Sequence, residues 1–277
     1  MYKAVSYGVI NLNVPLPEGI EFAARHGFEG LEIHPDQALE AGLDTIQEQL
    51  KKYQMRNAGF GLPMEYKAAD RAEFEKGAEL LKRQAETAAK LGAKGCCTWI
   101  LPFHETMTYD EQFAFLAERL SIYAKILKDA GIKLGLEFIG PETARKGQPY
   151  VFVHTLPQMM ELCGAVGNCG LLLDAHHCFT AGHSMSEIGK LRKEQIVLVH
   201  INDAVEGFAL EDQPDSPRSL PGETGVIDIG TFMKGLKEIG YDGPVVTEPF
   251  SERLKEMGDR DAVMEAVISS MKAVWPD

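Results

Sequence analysis

The sequence predicts an α/β fold, a single (β/α)8 TIM barrel over residues 1–277. Three observations carry that expectation. Eight short β-rich runs alternate with longer helical patterns, which is the count and order of such a barrel. Several strands follow one recurring phrase, "HGFEG", "LGAKG", "AGIKLG" or "IGYDG", in which a helix-ending Gly turns the chain into a strand. The last four strands each end on a polar residue in phase with a small or apolar one. A doubly wound sheet uses the same alternation, but the strand count and even spacing favour the barrel.

The strands are expected, in order, at "KAVSYGVI" (3–10), "FEGLEIH" (28–34), "RNAGFGL" (56–62) and "AKGCCTWI" (93–100). The second half supplies "IKLGLEF" (132–138), "GLLLDAH" (170–176), "IVLVHIND" (196–203) and "PVVTEPF" (244–250). Between them, 70–91 reads as a helix with Asp at its start and Gly92 just past its end. Residues 108–130 repeat the pattern, opened by Thr108 and Asp110 and closed by Gly131. No linker or low-complexity segment divides the chain, so one domain is expected.

Composition narrows the function. A net charge of −13 repels phosphate backbones, and no basic cluster stands out in the sequence to build a local groove, so nucleic acid is not an expected partner. No apolar run approaches the roughly 20 residues of a membrane span, and no charged start precedes an apolar run of signal-peptide type. The five cysteines, Cys96, Cys97, Cys163, Cys169 and Cys178, are odd in number and form no metal-type pair. They read as buried, reduced thiols of a cytoplasmic protein. A homo-oligomer is compatible with all of this.

In a barrel the chemistry sits where the strands end. Strand five ends on Glu137, six on Asp174, seven on His200 and eight on Glu248. Residues two apart share a face of a strand, so these stand in line with Gly135, Leu172, Leu198 and Val246, which are small or apolar. If all four point inward, three carboxylates and an imidazole meet at one mouth. Such a cluster is costly through desolvation and like-charge repulsion unless a cation joins it. Mixed O/N ligation suits one divalent metal ion. The carboxylate majority makes Mn²⁺ the first expectation, with Mg²⁺, Co²⁺ and Zn²⁺ compatible.

"LGLEFIG", "LLLDAHH", "VHIND", "PGETGVID" and "VVTEPF", in that order, resemble the xylose isomerase-like TIM-barrel superfamily. The likeness is greatest to inosose isomerase-like proteins. It covers nearly the whole chain and is most specific from 132 to 250. It implies that Glu137, Asp174, His200 and Glu248 are metal ligands, and that Glu137 and Glu248 are also the catalytic acid/base pair. It further implies that His177, from a D-x-x-H pattern, and Arg218, before P-G-x-G, contact substrate.

The expected activity is that of a divalent-metal-dependent isomerase or epimerase of a sugar or keto-polyol. A carboxylate moves a proton next to a carbonyl while a metal steadies the enediolate charge. The same enediolate can instead lose a β-hydroxyl, so a dehydratase (lyase) is the alternative. An endonuclease IV-like role needs a D-x-H after the strand-seven His, and "LEDQPDSPRS" (210–219) holds no His.

Further substrate contacts are expected from Glu32 and His34, which end strand two as "LEIH", and from His104 after strand four. Trp99 and Phe103 are candidates for an aromatic wall. On an extended strand His176 and His177 would point opposite ways, so only one can face the metal, and the D-x-x-H pattern of the resemblance together with the turn after the strand favours His177. Asp203 is expected to orient a ligand or to bind substrate.

Overall fold

The computed structural model describes residues 1–277. Eight parallel strands close into a barrel: β1 (Tyr2–Val5), β2 (Gly30–Glu32), β3 (Arg56–Gly61), β4 (Gly95–Ile100), β5 (Lys133–Phe138), β6 (Cys169–Asp174), β7 (Ile196–Ile201) and β8 (Pro244–Thr247). Each strand pairs with its neighbours in sequence, and β1 closes the ring by pairing with both β8 and β2. Ten helices surround the barrel: α1 (Leu16–Arg25), α2 (Pro35–Ala41), α3 (Leu43–Tyr53), α4 (Arg71–Lys90), α5 (Tyr109–Asp129), α6 (Leu156–Val166), α7 (Ala175–Thr180), α8 (Ile229–Glu238), α9 (Glu252–Glu256) and α10 (Arg260–Val274).

The expected helices form where their signals stand. The Asp70 carboxylate accepts from Glu73 N–H at 2.9 Å and starts α4. Thr108 and Glu111 make a reciprocal capping box at the start of α5. Gly27, Gly92, Gly131 and Gly240, one from each recurring phrase, all have left-handed φ, between 70° and 85°. A side chain there would meet the steric penalty that glycine avoids.

Two apolar layers hold the barrel. A cluster of 66 buried residues packs the strands against the helices. A smaller one, with Ala4, Ala58, Cys97, Leu172, Leu198 and Val246, fills the barrel itself. Each fully buried Leu, Ile or Phe contributes about 1.5–3 kcal/mol relative to exposure. Gly135 is required inside: a Cβ there would stand 2.6 Å from Cys97 Sγ. All five cysteines are buried and unpaired. No helix is long and apolar enough to cross a membrane.

Most strands stop short of the expected end, the seventh at Ile201 and the eighth at Thr247 among them, and three of the differences have consequences. The first strand stops at Val5, and Gly8–Ile10 forms a 3-10 turn instead of extended chain. The second stops at Glu32, because His34 is the N-cap position of α2 before Pro35. The sixth stops at Asp174, whose carboxylate accepts from the N–H groups of His176 at 2.6 Å and His177 at 3.1 Å. That capping converts the expected strand end into α7. His176 and His177 therefore occupy a helical turn and are both buried, so the opposite-face argument does not apply to them.

Candidate metal and proton-transfer site

The barrel brings Glu137, Asp174, His200 and Glu248 together at its C-terminal mouth. One ligand atom from each lies within 4.8 Å of all the others. His200 Nδ1 stands 3.5 Å from Glu137 Oε1, 3.9 Å from Asp174 Oδ2 and 3.3 Å from Glu248 Oε2. The strands set this up: β6 and β7 pair Asp174 directly with His200, and β7 and β8 pair His200 with Val246, two residues before Glu248.

Arg218 closes the cluster from the loop after β7. Its Nη1 donates to Asp174 Oδ2 and Glu248 Oε2, each at 3.0 Å. Its Nε donates to the Asp215 carbonyl at 2.7 Å and its Nη2 to Asp215 Oδ1 at 3.0 Å, which fix the guanidinium in place. Asn202 Nδ2 also donates to Asp174 Oδ2, at 3.1 Å. Sequence reasoning missed Asn202, although it lies two residues after His200 and so shares its face. It also missed Asp215, because a loop has no periodicity to read.

The two glutamates are held differently. Burial pushes the Glu137 carboxyl up to about 8, with the neighbouring carboxylates adding to the effect and His200 opposing it. Burial acts on Glu248 in the same sense, but His200 and Arg218 outweigh it and bring its carboxyl below the usual value. Asp174 is raised by burial, against the pull of Arg218. The His200 imidazole loses by burial and gains more from Glu248 and Glu137, so it is held well above its usual value.

His177 is fully buried, and burial beside Arg218 keeps it neutral. Gly140 N–H points at its Nδ1 at 3.2 Å, and Arg218 Nη2 lies 3.2 Å from its Nε2. A neutral imidazole has a single acceptor nitrogen, so it accepts from only one of these. His176 points elsewhere, with Nε2 at 3.0 Å from the Pro214 carbonyl, and burial lowers it to about 3.

A cavity of about 270 Å³ opens over the cluster, lined by Glu137, Glu248, His177 and Arg218 and walled by Trp99, Ile139 and Phe250. The other expected substrate residues divide. Glu32 and His34 line a neighbouring cavity of about 320 Å³ on the β1–β3 side. Glu32 is raised by burial and feels the charge of His200. The His34 ring is 44% exposed and lies 3.8 Å from the Asp36 carboxylate.

His104 does not reach the cluster. After Pro102 the chain forms a short antiparallel pair, Phe103–His104 with Tyr150–Val151. There His104 Nδ1 accepts from Thr106 and Met107 N–H groups, and the ring lines a separate pocket with Phe103. Asp203 is not aimed at a ligand either. Its carboxylate accepts from the N–H groups of Ala204, Thr224, Gly225 and Ile227, and its backbone pairs with Ser219. It clamps the segment that follows Arg218.

The donor set suits a divalent cation. Glu137 Oε1 and His200 Nδ1 are buried and have no hydrogen-bond partner. Buried polar atoms are rarely left so, and a bound ion is one standard reason. Three hard oxygens and one imidazole nitrogen form a donor set that divalent ions such as Mg²⁺, Mn²⁺, Co²⁺ and Zn²⁺ accept.

Fold and mouth together define an eight-stranded α/β barrel with a carboxylate–imidazole cluster of metal-binding type. The chain belongs to the xylose isomerase-like TIM-barrel family, whose model matches residues 20–274. It is 26% identical to an inosose isomerase of Halalkalibacterium halodurans over 95% of this chain and 92% of that one. A ketose 3-epimerase of Arthrobacter globiformis is 25% identical, covering 93% and 84%. A 3-dehydroshikimate dehydratase of Pseudomonas aeruginosa is 23% identical over 95% of this chain and 40% of that one. Among solved structures, a xylose isomerase domain protein from Alicyclobacillus acidocaldarius superposes with a TM-score of 0.87, at 26% identity and 99% and 98% coverage. The IOLI protein, solved with a binding zinc atom, does so with a TM-score of 0.82, at 23% identity over 99% and 98%.

Proposed function

We propose that this chain is a divalent-metal-dependent isomerase or epimerase of a sugar or keto-polyol. The observation that carries the reading is the convergence of Glu137, Asp174, His200 and Glu248 within 4.8 Å, with two of the donor atoms buried and unpartnered. These four would hold the ion, Mn²⁺ by preference, which would supply Lewis-acid stabilisation to charge developing on substrate oxygens.

The chain's own residues account for proton transfer. Each carboxylate has two oxygens, so one can bind while the other exchanges a proton. Glu248, kept ionised beside His200 and Arg218, is assigned as the base that takes the proton next to the carbonyl. Glu137, the other member of the pair, is assigned as the acid that returns one, on the oxygen that would not hold the ion. Return to the opposite face gives epimerisation, and return to the adjacent carbon gives isomerisation. Arg218 is a donor for substrate hydroxyl or carbonyl oxygens, and the His177 ring beside it is a further polar contact. Trp99, 42% exposed on the cavity wall, offers an aromatic face to sugar C–H groups.

The relatives that carry isomerase and epimerase names support this assignment. The dehydratase relative supports a second one, in which the same enediolate expels a β-hydroxyl. Turnover of a keto-sugar and keto-inositol panel in D2O separates the two. Deuterium incorporation without loss of water supports the isomerase or epimerase. A dehydrated product overturns it in favour of the lyase.

A further inference from the structure

The opposite, N-terminal end of the barrel holds a larger cavity of about 1030 Å³. It lies between the strand starts and the ends of α3 and α4. Six cations line it, Lys51, Arg56, Lys90, Lys94, Lys133 and Lys193, against two acids, Glu194 and Asp242. Six less two leaves four positive charges in one concavity of a chain whose net charge is −13.

Local pairing does not cancel this charge. Arg56 reaches Glu29 at 3.4 Å, and Lys193 lies 3.8 Å from Asp242. Lys133 donates to the Glu194 backbone carbonyl rather than to a carboxylate. Lys51, Lys90 and Lys94 have no acidic partner within ion-pair distance. Cations in the last turn of a helix complement its carbonyl end, which accounts for Lys51 and Lys90. It does not account for Lys94, Lys133 or Arg56, which stand at or just before strand starts.

A second observation points to a ligand. Asn57, only 6% exposed, lines the same cavity. Its Oδ1 accepts from Gly59 N–H at 3.0 Å, and its Nδ2 has no partner at all. This amide donor lacks an acceptor, and an anion in the cavity would provide one once the side chain turns toward it. Val197 and Tyr2 line the same cavity from the barrel interior.

We propose that this cavity binds a small, multiply charged anion of the phosphate-ester or polyphosphate class, independently of the site at the barrel mouth. Ammonium groups around a concavity serve phosphate as point charges from several directions. A nucleic-acid backbone would need an extended basic surface, whereas here the rest of the chain is strongly acidic.

The test titrates inorganic phosphate and pyrophosphate into the full chain by calorimetry at low salt. The variants are Lys94→Glu/Lys133→Glu and the milder Lys94→Gln/Lys133→Gln. The proposal expects saturable one-to-one binding to wild type, tighter for pyrophosphate and weakened by added salt. Binding should fall at least tenfold in the charge-reversed variant and by less in the neutral one, while turnover at the mouth is retained in both. Absence of saturable binding to wild type overturns it, including the case where the variants merely melt earlier because the lysines serve helix ends. Equal binding to wild type and the neutral variant also overturns it, since the anion would then sit elsewhere, as on an ion at the mouth.

Discussion

The two ends of this barrel are built from opposite materials. At the C-terminal mouth three carboxylates and an imidazole are buried, and two of the carboxylates, Asp174 and Glu248, share a single guanidinium, Arg218. At the N-terminal end the charges are cationic and mostly exposed, around a cavity several times larger. A buried charge must be paired or neutralised, so every side chain at the mouth is tied to a neighbour or waits for one. An exposed lysine keeps its water and tolerates change. The contrast teaches where substitutions should matter: the mouth is sensitive in stability and chemistry together, and the far end in anion affinity alone.

The largest effect is expected at the proton-transfer pair. Glu137→Gln and Glu248→Gln keep shape while removing a proton-carrying group, a class of group that contributes roughly 10²–10⁴-fold to turnover. Each variant should lose at least that much kcat on the keto-sugar panel while its circular dichroism is unchanged. Retention of most activity in both would remove the acid/base assignment.

The next effect tests how the mouth is held. Asp203→Ala deprives four backbone N–H groups of their acceptor, and hydrogen bonds to a charged group are worth about 1.5–3 kcal/mol each before water re-enters. Urea unfolding should show a loss of about 3 kcal/mol or more. KM should rise as well, because the loop that presents Arg218 is released. A change under about 0.5 kcal/mol, typical of a bland surface site, would contradict the clamp.

A third effect is on pH. The Glu137 carboxyl is raised from 4.5 to about 8, so the fold favours its protonated form. That contribution to the stability of ion-free protein is complete below the ordinary carboxylate value of 4.5 and is lost as pH rises through about 8. Metal binding needs Glu137 ionised and His200 neutral, and the ion-free fold holds both protonated, so affinity should climb as pH rises. Urea midpoints and Mn²⁺ titrations between these limits check both signs.

The smallest effect belongs to the far end. Lys94→Gln should shift unfolding by no more than about 0.5 kcal/mol, as exposed sites do. It should also leave turnover unaltered. Loss of turnover there would mean that the two ends are coupled.

Much of this was legible before the structure. Helix signals placed 70–91 and 108–130 within a residue of α4 and α5, because capping side chains and left-handed glycines act locally. The period-two alternation also aligned Glu137, Asp174, His200 and Glu248, since a closed parallel barrel turns one face of each strand inward. What was not legible depended on tertiary contacts or on where strands stop. Asp174 ends its own strand by capping α7, which places His176 and His177 in a helix. The turn at Pro102 carries His104 away from the mouth. Arg218 is seated between two carboxylates by Asp215 and a loop, a position no spacing encodes.

The account rests on one ion held by four named residues, and counting that ion is its most direct test. Mn²⁺ should bind the wild-type chain once and raise its melting temperature. His200→Ala, which removes the nitrogen from the cluster, should lose both effects while remaining folded. If wild type and His200→Ala bind the ion alike, or if wild type binds none, the central claim is wrong.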